Sequence, residues 1–350
     1  MMVIEDLLGL VIKRKASDLH LAVNYPPIIR VDGVLSNLGA VVLSDDVIEG
    51  LLFSLLDEKQ TSTLKGQKEL DLSHTHASGD RFRINMFYEK GHLSAAFRLI
   101  PSAIKTIEEL GLPPICHEFA KLSQGLILVT GPTGQGKTTT LAAIIQEINE
   151  LYSKNIVTVE DPIEYLFPKA KSLVRQREIE HDTLSWDGAL RSALREDPNV
   201  VLIGEVRDYE TVSSAVTIAE TGHLVFSTLH TNSASQTIDR MIDVFPENQQ
   251  NQVRSQLASI LEGVISQRLI EGIGGGRVIA TEVLLATPAV RNVIREGKTY
   301  QIDNIIQTSG DLGMMTLEKS LVRLVREGKI TLDAAQAVSL RPDEIIRLFK

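Results

Sequence analysis

The feature that most constrains the fold is an apolar run that leads directly into a glycine-rich loop. Residues 125–130, GLILVT, form a continuous apolar segment of the kind that is buried in a parallel sheet. Residues 131–138, GPTGQGKT, fit the pattern G-x-x-x-x-G-K-[ST], whose glycines let backbone N–H groups surround phosphate oxygens at the start of a helix. Leu141, Ile144 and Ile148 then share one face of a predicted helix. The strand, the loop and the helix are therefore predicted in the order that phosphate binding requires.

The loop is predicted to hold the phosphates of a nucleotide. Lys137 is expected to reach the β and γ phosphates, and Thr138 to supply a hydroxyl directly to Mg²⁺. A chance glycine-rich turn is the alternative, but such a turn would not need the strand and the helix on either side. The predicted nucleotide-binding residues of this segment are Gly131, Pro132, Thr133, Gly134, Gln135, Gly136, Lys137, Thr138 and Thr139.

Two later apolar runs end in acidic residues, which are candidates to hold the metal's shell and to orient an attacking water. The run NIVTVEDPIEYL has Glu160 and Asp161 at its end and Glu164 just beyond. The run NVVLIGEVRD leads into Glu205. Because open α/β sheets bind ligands at the carboxyl ends of their strands, we expect these carboxylates to lie beside Lys137. For each acid, a solvated strand end or a helix cap is the alternative.

A further apolar run, HLVFSTLHT, has a histidine at each side. His230 closes the predicted strand as Glu205 closes its own, so we expect it to contact the γ phosphate or the attacking water. His223 is also assigned to nucleotide binding, although the first residue of a strand lies away from the carboxyl edge. A purely structural role is the alternative for both. No close His or Cys accompanies them, so neither is predicted to bind a metal.

The first hundred residues follow a different pattern, which predicts antiparallel strands. In RFRINMFYEKGHLSAAFRLI, apolar and polar residues alternate on both sides of a predicted turn. This alternation puts Arg83 and Arg98 on the same exposed face of one sheet, where a solvated surface is the alternative to a functional role. The proline-rich segment that follows is typical of a linker. We predict an N-terminal domain over residues 1–100, a linker over 101–115 and a second domain over 116–350.

Composition narrows the class of protein. The formal net charge of −9 argues against a protein that coats nucleic acid, because such proteins carry a basic excess or stripe. The single cysteine, Cys116, excludes internal disulfides and four-cysteine zinc sites and fits a reducing cytoplasm. The opening MMVIEDLLGL lacks the positive charge of a signal peptide, and no apolar run approaches the roughly 18 residues that span a bilayer. We therefore expect a soluble, cytoplasmic chain.

The motifs together resemble the four nucleotide boxes of the secretion ATPase superfamily, which drives type II secretion and type IV pili. The matching segments are TGPTGQGKTTTLAA, VEDPIEY, LREDPNVVLIGEVRD and TIAETGHLVFSTLHT. The PilT-like retraction branch is the best match for three further segments, SDLHL, VFP and AVRNVIREGK. That branch carries a motif similar to A-I-R-N-L-I-R-E. Val290 and Val293 depart from that motif but keep its apolar character.

The resemblance implies an α/β fold with two parts. A PAS-like α+β domain at the N-terminus would be followed by a RecA-like P-loop ATPase domain with a mostly parallel sheet and C-terminal helices. ATP and Mg²⁺ are the implied ligands. The implied partners are further copies of the chain in a homo-hexamer, an inner-membrane pilus platform protein and related retraction ATPase subunits, with no nucleic acid. The implied location is the cytoplasm, at the inner face of the cytoplasmic membrane.

The resemblance also assigns roles to individual residues. It implies that Glu205 is the catalytic carboxylate and that Glu160, Asp161 and Glu164 have an Asp-box role. The predicted catalytic residues are Glu205, Glu164, His230, Arg83 and Arg98. Glu160 and Asp161 would contact Mg²⁺ through water. Arg83 and Arg98 would reach the phosphates from the N-terminal domain. Gln135 stands where relatives often have Ser. Because this position contributes mainly backbone atoms to the loop, we expect little loss of nucleotide binding.

The predicted function is an ATP-hydrolysing hexameric motor that powers type IV pilus retraction and twitching motility. A pilus assembly or type II secretion ATPase is the nearest alternative. It is disfavoured because assembly ATPases commonly contain a four-cysteine zinc loop, whereas this chain has a single cysteine. A RecA-like nucleic-acid translocase is disfavoured by the acidic net charge. A non-hydrolysing regulator is disfavoured by Glu205 and the other acids.

One further segment, TPAVRNVIREGKTYQI, predicts a helix that begins at Pro288. Its apolar residues share one side, and Arg291, Asn292, Arg295 and Glu296 are expected mostly on the other. An ordinary surface helix is the alternative. The resemblance to the retraction motif leads us to expect that this helix transmits motion to neighbouring subunits or to the membrane platform.

Overall fold

Two β-sheets, each in its own unit, organise the part of the chain that the computed structural model describes, residues 3–31, 33–100 and 103–349. The first unit comprises Met1–Ala103 and Glu164–Leu166, and the second comprises Ile104–Ile163 and Phe167–Lys350. Positions 101 and 102, where the predicted linker begins, lie outside the described residues.

The first unit is a six-stranded antiparallel sheet with three helices. Its elements are α1 (Ile4–Lys13), β1 (Asp18–Leu21), β2 (Ile28–Val31), β3 (Val34–Asn37), α2 (Asp45–Phe53), α3 (Glu58–Gln67), β4 (Glu69–Thr75), β5 (Arg81–Glu89) and β6 (His92–Ile100). The strand order is β3-β2-β1-β6-β5-β4. The alternation predicted for β5 is confirmed, since Phe82, Ile84 and Met86 are fully buried. This unit is the predicted α+β part of the fold.

The second unit is built on a seven-stranded sheet. Its first elements are α4 (Ile115–Lys121), β7 (Gly125–Thr130), α5 (Lys137–Leu151), β8 (Asn155–Glu160), β9 (Leu173–Glu178), α6 (Trp186–Ala193), β10 (Val200–Ile203), α7 (Tyr209–Glu220) and β11 (Leu224–Leu229). The rest are α8 (Ala234–Asp243), α9 (Glu247–Ile260), β12 (Leu261–Glu271), β13 (Arg277–Leu285), α10 (Pro288–Arg295), α11 (Ile302–Thr308), α12 (Leu317–Arg326), α13 (Leu332–Val338) and α14 (Pro342–Phe349), with short 3₁₀ turns at Thr299–Gln301 and Gly310–Leu312.

The sheet of the second unit is mostly parallel, as predicted. Its order is β13-β12-β7-β11-β10-β8-β9, and all neighbours run parallel except β13 against β12. Every residue of β7, β10 and β11 is buried, which explains why these strands are rich in apolar residues. The register pairs Thr130 with Leu229 and Ile203 with Ser227, so the strands end at one edge. This edge is where an open α/β sheet binds its ligands.

Helix α10 is the predicted AVRNVIRE helix. Thr287 caps its N-terminus by accepting from the Val290 N–H, and Val290, Val293 and Ile294 are buried. Arg291 differs from the expectation, because its guanidinium donates to the carbonyls of Ala258 and Ser259, both at 2.8 Å. These carbonyls belong to the last turn of α9 and have no partner within that helix. Arg291 therefore ties α10 to α9 and is not a free surface charge.

The last helices cover the far end of the β12–β13 hairpin. Ile270 and Ala280 of the hairpin pack with Leu317, Leu321 and the rest of a small apolar cluster from α12, α13 and α14. None of the helices within the described ranges combines the length and the apolar character that a membrane crossing needs.

Candidate functional site

The glycine loop lies between β7 and α5, as the motif predicts. Gly131 has a φ of +143° and Gly136 a φ of +79°, which side chains rarely permit. At Gly131 there is also no room, since a Cβ would lie 2.5 Å from the backbone oxygen of Gln267. The loop can therefore take this path only with glycine at that position. Its end is the N-terminus of α5, where backbone N–H groups and the helix dipole favour an anion.

Lys137 is the first residue of α5, and its charge lies under the loop. The side chain is largely buried, and its ammonium donates to the carbonyl oxygens of Gly131 at 2.9 Å and Pro132 at 3.1 Å. The same nitrogen is 3.5 Å from Nδ1 of His230. A buried ammonium group that lines a glycine loop is suited to hold phosphate oxygens.

His230 follows β11 and connects the loop with Glu205. Its Nδ1 lies 3.3 Å from the Thr133 hydroxyl, and its Nε2 lies 3.4 Å from a carboxylate oxygen of Glu205. The structure thus brings together Lys137, His230 and Glu205, which follow three neighbouring parallel strands, at the predicted edge. Their chemical roles stay predictions.

Glu205 has a second partner that the sequence reasoning missed. The guanidinium of Arg207 lies 2.6 Å from the other carboxylate oxygen. Arg207 stands in the same GEVRD segment as Glu205, only two residues further on. No predicted strand ends at Arg207, so the sequence pattern did not single it out. The arginine and the histidine fix the Glu205 carboxylate from both sides.

Glu160 ends β8 as predicted, but it is buried. Its carboxylate accepts from the Thr158 hydroxyl at 2.6 Å and from the Gln176 amide at 3.2 Å. Asp161 and Glu164 are exposed, and Glu164 lies in the short stretch that groups with the first unit. The roles of these three carboxylates toward Mg²⁺ and water stay predictions.

Arg83 and Arg98 stand directly opposite each other in β5 and β6, so the prediction that they share one face is confirmed. Arg98 donates to Asp18 at 3.1 Å, and Arg83 lies 3.9 Å from Asp71. Burial acts to raise the pKa of Asp18, but hydrogen bonds from Ser17 and Arg98 bring that pKa below its ordinary value. Asp18 belongs to the SDLHL segment, and nothing in that segment indicates that its aspartate is the partner of Arg98.

His223 lies at the other edge of the sheet. Its backbone oxygen accepts from the N–H of Gly125, the first residue of β7, whereas the glycine loop follows the last. Its imidazole Nδ1 lies 3.0 Å from both the Ile218 carbonyl and the Thr221 hydroxyl. Within the second unit, the length of β7 therefore separates His223 from the loop. Its assignment to nucleotide binding stays a prediction.

Gln135 has a side-chain contact in addition to its predicted backbone contribution to the loop. Its side-chain oxygen accepts from the backbone N–H of Leu269 on β12, so the residue contributes more than backbone atoms. Thr138 and Thr139 occupy the first turn of α5 and are half-buried. Thr138 is the residue whose hydroxyl would reach a metal beside the loop.

The segment after His230 is fixed by two buried charged residues that sequence reasoning missed. Arg268 donates to the carbonyl and the side-chain oxygen of Asn232, both at 3.1 Å, and burial lowers the pKa of its guanidinium. Glu282 accepts from the Ala234 N–H at the start of α8, at 2.7 Å. Burial raises the pKa of Glu282 to about 7. Both residues are far from His230 along the chain, so no motif could have indicated them.

The glycine loop between a buried strand and a helix, with its carboxylate and histidine at the strand ends, defines a P-loop nucleotide-binding protein of the RecA-like α/β class. A sequence model of the family described as "Type II/IV secretion system protein" matches residues 94–274. The chain belongs to this family of type II/IV secretion ATPases, among its PilT-like members.

Similar proteins support this membership over nearly the whole chain. The "Type IV pilus retractation ATPase PilT" of Pseudomonas aeruginosa is 47% identical over 340 residues, which are 97% of this chain and 99% of the relative. A "Twitching motility protein" of Neisseria gonorrhoeae is 46% identical over 89% of this chain and 83% of the relative. The crystal structure of the pilus retraction motor PilT with bound ADP covers 99% of this chain and all of its own, at 45% identity and a TM-score of 0.93.

Proposed function

We propose that this chain is an ATP-hydrolysing motor that powers type IV pilus retraction. The observation that carries the proposal is its likeness to the retraction ATPase PilT, 47% identical over 97% of this chain and 99% of the relative. A match of that extent includes both units. Within the chain, the cluster of Lys137, His230 and Glu205 supports ATP hydrolysis.

The chemistry follows from the positions of these side chains. The loop's backbone amides and the Lys137 ammonium would bind the β and γ phosphates. Glu205 would orient the attacking water and accept its proton, and His230 would contact the γ phosphate or that water. Thr138, Glu160 and Asp161 would hold Mg²⁺, which would supply positive charge beside the phosphates when bound.

The assembly state and the location are further parts of the proposal. We infer a homo-hexamer in which the arginines of the N-terminal domain, Arg83 and Arg98, complete the phosphate site. The proposed domains span residues 1–100 and 116–350, joined by a linker over 101–115. The ring would work in the cytoplasm at the inner face of the cytoplasmic membrane, with a pilus platform protein and related retraction ATPase subunits as partners and without nucleic acid.

The direction of pilus movement requires an experiment in cells, because assembly and retraction use the same ATP chemistry. Deleting the gene should leave excess surface pili and abolish twitching, and the wild-type chain should restore movement. A deletion strain without surface pili would instead identify a pilus assembly ATPase. Purified chain should hydrolyse ATP without stimulation by DNA, and strong stimulation would favour the translocase alternative.

A further inference from the structure

Strand β12 extends beyond the end of its neighbour β7. Ser266 pairs with Thr130, the last residue of β7, so the remaining residues of β12 run alongside the glycine loop. The loop packs closely on this part of the strand. A Cβ at Gly131 would lie 2.5 Å from the Gln267 oxygen, and one at Gly136 would lie 3.3 Å from the Leu269 side chain. One side of the loop therefore rests on β12.

Two glutamines connect the loop and the strand reciprocally, and we call Gln135 and Gln267 the glutamine clamp. The side-chain amide of Gln267 donates to the backbone carbonyl of Gln135. The side chain of Gln135 accepts from the backbone N–H of Leu269. Gln267 is fully buried, and its side-chain oxygen also accepts from the Thr140 hydroxyl on α5 at 2.9 Å. The nitrogen of the Gln267 side-chain amide is thus bonded to the loop, and its oxygen is bonded to α5.

The clamp has a direct consequence for the peptide bond between Gln135 and Gly136. In a trans peptide the C=O and the following N–H point in opposite directions. Because Gln267 holds the Gln135 carbonyl toward β12, the N–H of Gly136 must point away from β12. Phosphate binding by such a loop depends on backbone N–H groups that converge on the anion. A peptide that is free to rotate would lose that arrangement in part of the population.

We propose that Gln267 is a positioning residue for ATP, acting through Gln135 to keep the phosphate loop in its binding conformation. The inference rests on the proposed function. Neither glutamine side chain needs to touch the nucleotide, since both act by fixing the backbone that does. Prior ordering of the loop reduces the conformational entropy that nucleotide binding would otherwise cost.

The test compares nucleotide affinity with stability in the full-length chain. Gln267→Leu keeps much of the buried volume but removes the donor to the Gln135 carbonyl, and Gln135→Ala removes only the acceptor for Leu269. Gln256→Leu is the matched control, because that glutamine of α9 bonds Glu220 at the surface. Calorimetry with ADP and Mg²⁺, the kcat and KM for ATP, and the melting temperature without nucleotide are measured for each.

We expect Gln267→Leu to weaken ADP binding roughly tenfold and to raise KM in parallel, with a smaller fall in kcat, because one or two hydrogen bonds of about 1 kcal/mol each are lost. Gln135→Ala should weaken binding about threefold, by loss of a single bond, and Gln256→Leu should match the wild type. Wild-type ADP affinity in a folded Gln267→Leu chain would overturn the proposed positioning role. A lower melting temperature with unchanged ADP affinity would overturn it too.

If Gln267→Leu does not fold, Gln135→Ala decides, and unchanged ADP affinity in that variant would overturn the proposal. Failure of the proposed function looks different. A wild-type chain that binds neither ADP nor ATP would refute the motor itself, whereas a wild-type chain that hydrolyses ATP beside unaffected clamp variants would refute only the clamp.

Discussion

At the residue scale, three side chains meet at the site and are predicted to have different tasks. Lys137 supplies positive charge under the loop, Glu205 supplies a carboxylate, and His230 stands between them at 3.5 and 3.4 Å. Arg207 contacts the same carboxylate at 2.6 Å, so Glu205 is held in one orientation. A carboxylate fixed in this way is suited to orient a water molecule, and charge under the loop is suited to bind phosphate.

Substitutions of Lys137 and Glu205 should therefore fail in different ways. Lys137→Ala should reduce both ATP binding and turnover, because the charge that holds the β and γ phosphates is gone. Glu205→Gln should bind ATP with near wild-type affinity but lose turnover by a factor on the order of 10² or more. Nucleotide affinity and steady-state hydrolysis, measured on the same preparations, separate the two effects. Near-normal turnover in the Glu205→Gln chain would transfer the catalytic role to Glu164.

The buried carboxyl of Glu282 makes folding stability depend on pH. Burial, and then the nearby Asp303 and Glu318, raise its pKa to about 7 from 4.5, against the opposing Ala234 N–H and Arg341. Between those two values the folded chain binds more protons at this site than the unfolded chain, so its contribution to stability falls as pH rises.

We therefore expect Glu282→Gln to be more resistant to urea than the wild type above about pH 7, and to lose less stability between about pH 5 and 7. An amide can still accept from the Ala234 N–H, so the start of α8 should keep its partner. Urea midpoints across this pH range provide the measurement, with Glu150→Gln at an exposed position of α5 as the control. Parallel pH profiles for the wild type and Glu282→Gln would contradict the expectation.

At the element scale, α10 has a buried side and an exposed side. Arg291 donates to the end of α9 and to the Glu262 carboxylate at 2.8 Å, so it serves packing within the unit. Arg295 and Glu296 lie on the exposed side, where Glu296 contacts Lys298 at 2.8 Å. Side chains that support no buried contact are available to a partner, which fits the proposed transmission of motion.

Replacing both Arg295 and Glu296 with Ala should leave the proposed hexamer and most ATPase activity intact while abolishing twitching. The expected reason is loss of contacts outside the unit, not of the phosphate site. Oligomeric state, ATP hydrolysis and twitching of a complemented deletion strain are the measurements. Normal retraction would make α10 an ordinary surface helix, and a proportional loss of ATPase activity would place its role in assembling the site.

Arg291→Ala is the informative contrast for that double variant. It removes the donor to the last carbonyls of α9 and leaves Glu262 without its arginine, so we expect a loss of folding stability of about 1–3 kcal/mol. Thermal and urea unfolding should detect it. A stable Arg291→Ala chain would show that the contact between α10 and α9 contributes little.

At the scale of the whole molecule, hydrolysis is predicted to need both units. Positive charge delivered to a γ phosphate can raise the rate by about 10³–10⁵. Arg83→Ala and Arg98→Ala should each slow hydrolysis far more than they weaken nucleotide binding. Arg30→Ala is a matched control, because Arg30 also contacts Asp18, at 3.4 Å, but carries no predicted role toward the phosphates. A fragment of residues 116–350 that hydrolyses ATP at the full-length rate would contradict this prediction.

Local patterns predicted much of the fold and the centre of the site. The glycine loop, the apolar strands that end in Glu205 and His230, and the alternation that pairs Arg83 with Arg98 all depend on residues within one strand and turn. Their periodicity and spacing are properties of the chain itself. The rule that parallel strands end at a common edge then brought Glu205 and His230 toward Lys137 without further information.

Only the tertiary structure identified the residues that support this centre. Gln267 lies 132 positions from Gln135, and Arg98 lies 80 positions from Asp18. The order of strands in a sheet decides which distant residues become neighbours, and packing of the whole unit decides that order. The burial of Glu282 and of Glu160 is likewise set by elements from elsewhere in the chain. The sequence by itself determined the chemistry of the loop and the strand ends, whereas long-range packing decided what holds them in position.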